Sequence, residues 1–259
     1  MSDSLAMTIG AETKQSSPAG GASFSPLYQQ IKQLLLRALD QGEWKPGESI
    51  PSEFELAARF QVSQGTVRKA VDELASENIL IRRQGKGTFV STHHEPHVRF
   101  RFLRLAATAG RTPPTKSQVL NCQRVRANAH AAQQLDLRVG ESLVFIRRLL
   151  TFENVPTVID DIYLPSFLFK GLTSSLLEAH QAVPLYGLFE TEFGVSMVRA
   201  EEQIRAVAAS SEVAELLAIK VESPLLRVDR TSYTYVDRPV ELRVGHYLTD
   251  QYYYRNSLI

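Results

Sequence analysis

Five residues in one short stretch, Ser63, Gln64, Thr66, Arg68 and Lys69, carry side chains able to read nucleic acid, with Gly65 among them offering bare backbone. A Gln amide pairs with adenine, a Thr methyl touches thymine, and an Arg guanidinium forks onto guanine or phosphate. A second basic group follows at Arg82, Arg83 and Lys86, interleaved with Gln84, Gly85 and Gly87. Its charge suits a phosphate or a minor groove. The GKG string is no phosphate-cradling P-loop. That motif needs Gly where Leu80 stands, and Ser or Thr where Gly87 stands.

These residues need elements to hold them. Ser52 with Glu55 three positions on forms a capping box, which starts a helix running to about Phe60. Leu56, Ala57 and Phe60 give it one buried face, and Gln61 and Val62 form a turn. Ser63 then caps a second helix, with Thr66 at its third position and an apolar stripe of Val67, Ala70, Val71 and Leu74. Gly65 costs this helix roughly 1 kcal/mol against Ala. Either a bare backbone approaches a partner there, or the first turn frays. Two helices across a tight turn make a helix-turn-helix, whose second helix enters the major groove by its N-terminal end. Strands over Ile79–Arg82 and Thr88–Ser91, joined by Arg83 to Gly87, complete a wing.

The strings PLYQQIKQLLLRAL, W-KPGE-S-IPSE-ELA, V-S--TVRKA--EL and RRQGKGTFV together resemble the winged helix-turn-helix of the GntR family of bacterial transcription regulators. The resemblance spans residues 25–92 and implies DNA contacts at Ser52, Ser63, Gln64, Gly65, Thr66, Arg68, Lys69, Arg83, Gln84, Gly85 and Lys86. Phe54 and Gln64 stand where many members carry Arg. Arg68, Thr66, Ser63 and Gly85 are the positions that carry over most directly.

At 259 residues and 44% apolar content the chain has material for two domains with proper cores. Its net charge of +1 excludes a histone-like binder, while the basic residues cluster in the reading helix and wing. The single cysteine, Cys122, excludes an internal disulfide and a Cys-based zinc cluster; its alternating surroundings predict a half-buried strand position. No apolar run is long enough to cross a membrane, and residues 1–24 lack the basic start and apolar core of a signal peptide. A disordered tail over 1–24 and a cytoplasmic protein are expected. His93, His94 and His97 fall in the predicted linker 93–99. Their spacing is unspecific for a metal, so no cofactor is expected.

The remainder contains an internal repeat. AAQQLDLRVGESLVFIRRLLTFENVPTVIDDIYL from Ala131 matches VAELLAIKVESPLLRVDRTSYTYVDRPVELRVGHYL from Val213. Leu135 answers Leu217, Val139 answers Val221, Arg148 answers Arg230 and Pro156 answers Pro239. Each copy reads as a helix, a turn and a long hairpin, so two copies predict a pseudo-twofold antiparallel sheet carrying helices, an α+β domain. Between them Leu176, Leu177, Leu185, Leu188 and Phe189 have helical spacing, and Val195 to Ala208 is strand-like. This half, residues 100–259, resembles the UTRA effector-binding domain of the HutC branch of the same family, with a fold similar to chorismate lyase.

Polar residues on the hairpins are the candidate effector ligands: Arg148, Asp160, Tyr163, Arg230, Glu241, Arg243 and Tyr247. Guanidinium groups recognise carboxylate or phosphate in a planar, bidentate way, which predicts a small anionic effector. Sugar-phosphate-sensing relatives typically carry a second Arg two residues after Arg148. Leu150 stands there, so the resemblance implies an organic or amino acid. The expected protein is a ligand-responsive homodimeric repressor on palindromic operator DNA. A lyase-like enzyme is the competing reading. It lacks an evident nucleophile-base pair, and His180 and His246 are isolated in sequence.

Overall fold

A computed structural model describes residues 25–94, 104–107 and 115–256. The tail 1–24 and most of the linker, including His97, lie outside the described residues.

Helix punctuation sets the first unit. It contains α1 (Leu27–Asp40), α2 (Glu53–Phe60) and α3 (Gln64–Ser76). Ser52 Oγ accepts from the Glu55 amide at 3.3 Å, and the Ser52 amide donates to Glu55 Oε2 at 2.8 Å, so the capping box is complete. Gln61 takes a left-handed conformation and stops α2, and Ser63 caps α3. Val67, Ala70, Val71 and Leu74 are all buried, against Ile31, Leu35 and Leu39 of α1 and Leu56 of α2. Each of these Val, Leu and Ile side chains contributes about 1.5–3 kcal/mol by leaving water, and the Ala70 methyl less.

The wing pairs β1 (Leu80–Arg83) with β2 (Gly87–Val90), each displaced by one residue from its expected span. Because Arg83 and Gly87 themselves pair, the turn narrows to Gln84, Gly85 and Lys86. Gly85 and Gly87 have φ of +69° and +107°, which a side chain would strain.

The second unit is built on a six-stranded antiparallel sheet of order β4-β5-β6-β9-β8-β7. The strands are β4 (Thr115–Arg126), β5 (Ser142–Phe152), β6 (Val155–Pro165), β7 (Arg199–Ala208), β8 (Pro224–Tyr233) and β9 (Pro239–Tyr247). The order reads outward identically from the β6–β9 seam, so the pseudo-twofold axis runs between those strands. The repeat is longer than the sequence match: a strand precedes the helix in both copies. In the first copy β4 leads to α4 (Ala129–Gln134), and in the second β7 leads to a helix over Ser211–Leu217. Leu135 and Leu217 are both buried, while Val139 and Val221 are both exposed.

The two faces of the sheet differ in cover. The repeat helices fill one face with Ala131, Ala132, Val213, Ala214 and Leu217. On the other face lie α5 (Ser174–Ala179) and α6 (Leu185–Phe193), whose Leu177, Leu188 and Phe189 pack on Ile146 and Ile162. The repeat helix of the second copy is α7 in chain order. A short pair, β3 (Leu105–Ala107) with β10 (Tyr252–Tyr254), closes a further cluster around Phe152 and Tyr247.

Candidate functional site

The nucleic-acid face is built by α2, α3 and β1. Ser63, Gln64, Gly65, Arg68 and Lys69 are exposed at the start of α3, with Thr66 half-buried and its amide satisfied by Ser63 Oγ at 3.2 Å. Glu53 organises the basic side chains. Its Oε2 accepts from Arg68 Nε and its Oε1 from Arg82 Nη2, both at 2.9 Å. Burial opposes the charge on Glu53, but Arg82 and Arg68 outweigh it and hold the carboxyl below its usual range. Arg82 also donates to Asp72 Oδ1 at 2.6 Å, tying the wing to the reading helix. Lys69 lies over the Tyr28 ring at 3.8 Å and Arg83 over the Phe89 ring at 4.5 Å. Gln84, Gly85 and Lys86 are exposed at the wing tip. The Ser52 hydroxyl is engaged in its cap. Phe54 is 74% exposed in the first turn of α2.

The second site is a cavity of about 180 Å³ between the sheet and α5–α6, with room for a small organic molecule rather than a single water. Strand alternation selects what lines it. Arg148 pairs with Asp160 across β5–β6, and Arg230 with Arg243 across β8–β9, so the repeat places four charges around the pseudo-axis. Arg148, Asp160, Arg230, Arg243 and Tyr247 all line the cavity, together with Leu150, Ser117, His180 and Tyr186. Arg148 donates to Asp160 Oδ2 through Nε at 3.0 Å and Nη2 at 2.7 Å, and Arg243 Nη1 reaches the same oxygen at 3.2 Å. Asp160 is 1% exposed, and its Oδ1 has no hydrogen-bond partner. Burial works against this carboxylate; Arg148 and Arg243 overcome it and hold its pKa low.

Two expected residues stand elsewhere. Tyr163 is three positions from Asp160 and so emerges on the opposite face, where its ring packs on Phe145 at 5.1 Å. It is removed from the cavity set by the two-residue strand period. Glu241 shares the cavity face but lies beneath it, fully buried. It accepts from Arg243 Nε at 3.1 Å, Ser232 Oγ at 2.6 Å and Tyr186 Oη at 2.5 Å. Burial raises the cost of its charge, which Arg243 chiefly offsets, keeping the carboxyl low. His180 does line the cavity, its Nδ1 2.9 Å from the Leu176 carbonyl. His246 is half-buried, and burial lowers its pKa.

Sequence reasoning missed Tyr186 and Glu202. Tyr186 sits inside an apolar helical stripe, where a buried hydroxyl must find a partner. Glu202 receives Arg230 Nε at 2.6 Å and Tyr254 Oη at 2.5 Å. Its signal was the strand before the second repeat helix, which the sequence match did not reach.

Gly245 allows the arrangement. A Cβ there would stand 2.5 Å from Tyr247 Cε2 and 3.0 Å from Asp160 Oδ1. Gly245→Ala is expected to cost about 1–3 kcal/mol as overpacking, read as a lowered urea midpoint. An unchanged midpoint would show that the ring yields freely.

A winged helix-turn-helix joined to a sheet that encloses a cationic cavity defines a ligand-responsive, DNA-binding transcription regulator. Comparison with known proteins agrees. Residues 27–90 match the bacterial regulatory proteins of the gntR family, and residues 110–253 match the UTRA domain. The chain belongs to the GntR family of bacterial regulators, with a UTRA domain as its second unit. It is 31% identical over 236 residues to an HTH-type transcriptional regulator of Mycobacterium tuberculosis, covering 90% of this chain and 86% of that protein. It is 30% identical over 223 residues to the histidine utilization repressor of Pseudomonas putida, covering 83% and 85%. The crystal structure of the ligand-binding domain of a GntR-family regulator from Bordetella bronchiseptica shares 57% identity. The match covers 61% of this chain and 98% of that one, with a TM-score of 0.60.

Proposed function

We propose that this regulator is a cytoplasmic homodimeric repressor, released from a palindromic operator when a small carboxylate bearing a hydroxyl or amino group enters the cavity. Residues 25–92 read DNA, and residues 100–259 bind effector and dimerise. The reading rests on one observation. Three guanidinium groups face the cavity against one carboxylate among the described lining residues, and that carboxylate has a free oxygen. An anionic group meets the guanidiniums of Arg148 and Arg230, while a hydroxyl or ammonium donates to Asp160 Oδ1. Leu150 offers a sugar phosphate's oxygens nothing. The chain performs no chemistry on its ligand, as the regulatory names of its relatives suggest. No helix among the described residues is long and apolar enough to cross a membrane.

Thermal-shift screening of hydroxy acids, amino acids and sugar phosphates tests the ligand class. A compound at one hundred times its Kd stabilises the folded chain by about 2.7 kcal/mol. A hydroxy or amino acid should raise Tm by several degrees, and Arg148→Ala should abolish the shift. Stabilisation by sugar phosphates alone would refute the assignment.

A further inference from the structure

The linker that leaves the DNA-reading unit begins with a residue anchored inside the other unit. His93 is 4% exposed. Its amide donates to Glu190 Oε2 on α6 at 3.0 Å, and its Nε2 lies 3.0 Å from the Met197 carbonyl. Thr92 Oγ1 donates to the same Glu190 oxygen at 2.8 Å. The His93 ring packs on Tyr186, centroids 5.3 Å apart. One residue on, the His94 ring lies so close to Gly187 that a Cβ there would come within 3.1 Å of it. The first turns of α6 therefore hold Thr92 at the end of the DNA-reading unit and the first two residues of the linker.

The same helix is a wall of the cavity. Tyr186 lines it, donates to Glu241 at 2.5 Å, and has the Arg243 guanidinium 5.1 Å from its ring centre. Arg243 in turn donates to Glu241 Oε1 and Asp160 Oδ2. An unbroken series of contacts thus runs from cavity to linker: Asp160, Arg243, Glu241, Tyr186, His93.

A second junction leaves the same pair of strands. The β8–β9 turn carries Tyr235, which is buried in the core of the DNA-reading unit. Val236 and Asp237 beside it have φ of 55° and 56°. A β-branched residue in that region is strained, and persists where packing over-determines it. Arg238 Nη2 then donates to Asp40 Oδ1 at the end of α1, at 2.8 Å.

We propose that Tyr186 and His93 are the positioning pair through which the cavity's occupancy sets the placement of the DNA-reading unit. The proposal rests on the effector reading above. An anion seated by Arg148 and Arg230 also draws the Arg243 guanidinium toward the cavity, off Glu241 and away from the Tyr186 ring, and so unseats the carboxylate that accepts from the Tyr186 hydroxyl. The ring then leaves His93, and the linker loses one of the surfaces that fix it. A ligand shifts the equilibrium by its differential affinity for docked and undocked states, and no further.

Hydrogen exchange of the full chain tests this without any ligand. The His93 amide, bonded to a buried carboxylate, should exchange slowly in the wild type. In Tyr186→Phe, which keeps the ring and loses the Glu241 bond, its exchange should rise about tenfold while amides in the middle of β5 stay protected. Glu241→Gln, which touches no linker residue, should do the same. Unchanged His93 exchange in Tyr186→Phe overturns the proposal, and so does an equal rise throughout β5, which reports general loosening. The thermal-shift screen on the wild type separates the two ideas. Faster His93 exchange with no stabilising carboxylate leaves the coupling standing and removes the ligand class; the reverse pair of results does the opposite.

Discussion

Replacing Arg243 with leucine should cost about 3–5 kcal/mol of folding stability, because it strands Glu241 as an uncompensated buried charge. Glu241 is fully buried, and its remaining donors are the hydroxyls of Tyr186 and Ser232. Asp160 would lose one of its two guanidinium partners in the same step. The companion Arg243→Leu, Glu241→Leu should recover most of the loss, since removing both charges removes the desolvation cost of each. Urea unfolding followed by circular dichroism measures both. A loss below ~1 kcal/mol in the single variant would mean that water reaches Glu241. The same network fixes an acid limb. Asp160 and Glu241 are both held below their ordinary values, so their contribution is whole above about pH 5 and is lost as pH falls through the depressed values. Without Arg243, burial should push the Glu241 carboxyl above its ordinary value, so its part of the acid limb should disappear and the variant's deficit against the wild type should shrink as pH falls.

Removing Arg68, Arg83 and Lys86 together should weaken operator binding on the order of a hundredfold or more. Arg68 supplies about 1–3 kcal/mol if it meets a base edge, and each wing residue that no longer neutralises a phosphate should lower the salt slope by about one. Glu53 holds Arg68 at 2.9 Å in the free protein, so the guanidinium is aimed before DNA arrives. Fluorescence anisotropy over a salt series separates the parts. Arg68→Ala should lower affinity for the operator more than for random duplex, whereas Arg83→Ala and Lys86→Ala should lower both alike. Equal losses on both duplexes from Arg68→Ala would reassign it to the backbone.

The DNA-reading unit was legible because its signals are local. Ser52 with Glu55, Ser63 with Thr66 and the stripe from Val67 to Leu74 each lie within one or two helical turns, and each appears in the structure. The wing strands were displaced by one residue because hairpin register depends on which pair flanks the turn, and both Arg83 and Gly87 are compatible with either role. In the second unit the repeat gave the sheet's symmetry, and the register of its hairpins put Arg148, Asp160, Arg230 and Arg243 on one face. Tyr163 was misplaced for want of strict parity along β6. Glu202, Tyr186 and the seat of His93 were not legible, since each depends on which helix covers which face of the sheet, a meeting of residues far apart in sequence.

Filling the cavity should change how the protein holds DNA. Anisotropy titration of an operator duplex, enriched in vitro with the full chain, measures this directly with and without a carboxylate that stabilises the wild type. The predicted result is a Kd at least about tenfold weaker with the carboxylate present, a coupling near 1.4 kcal/mol, and no change for Arg148→Ala. An operator affinity that stays constant while the carboxylate demonstrably binds would contradict the coupling of cavity to DNA.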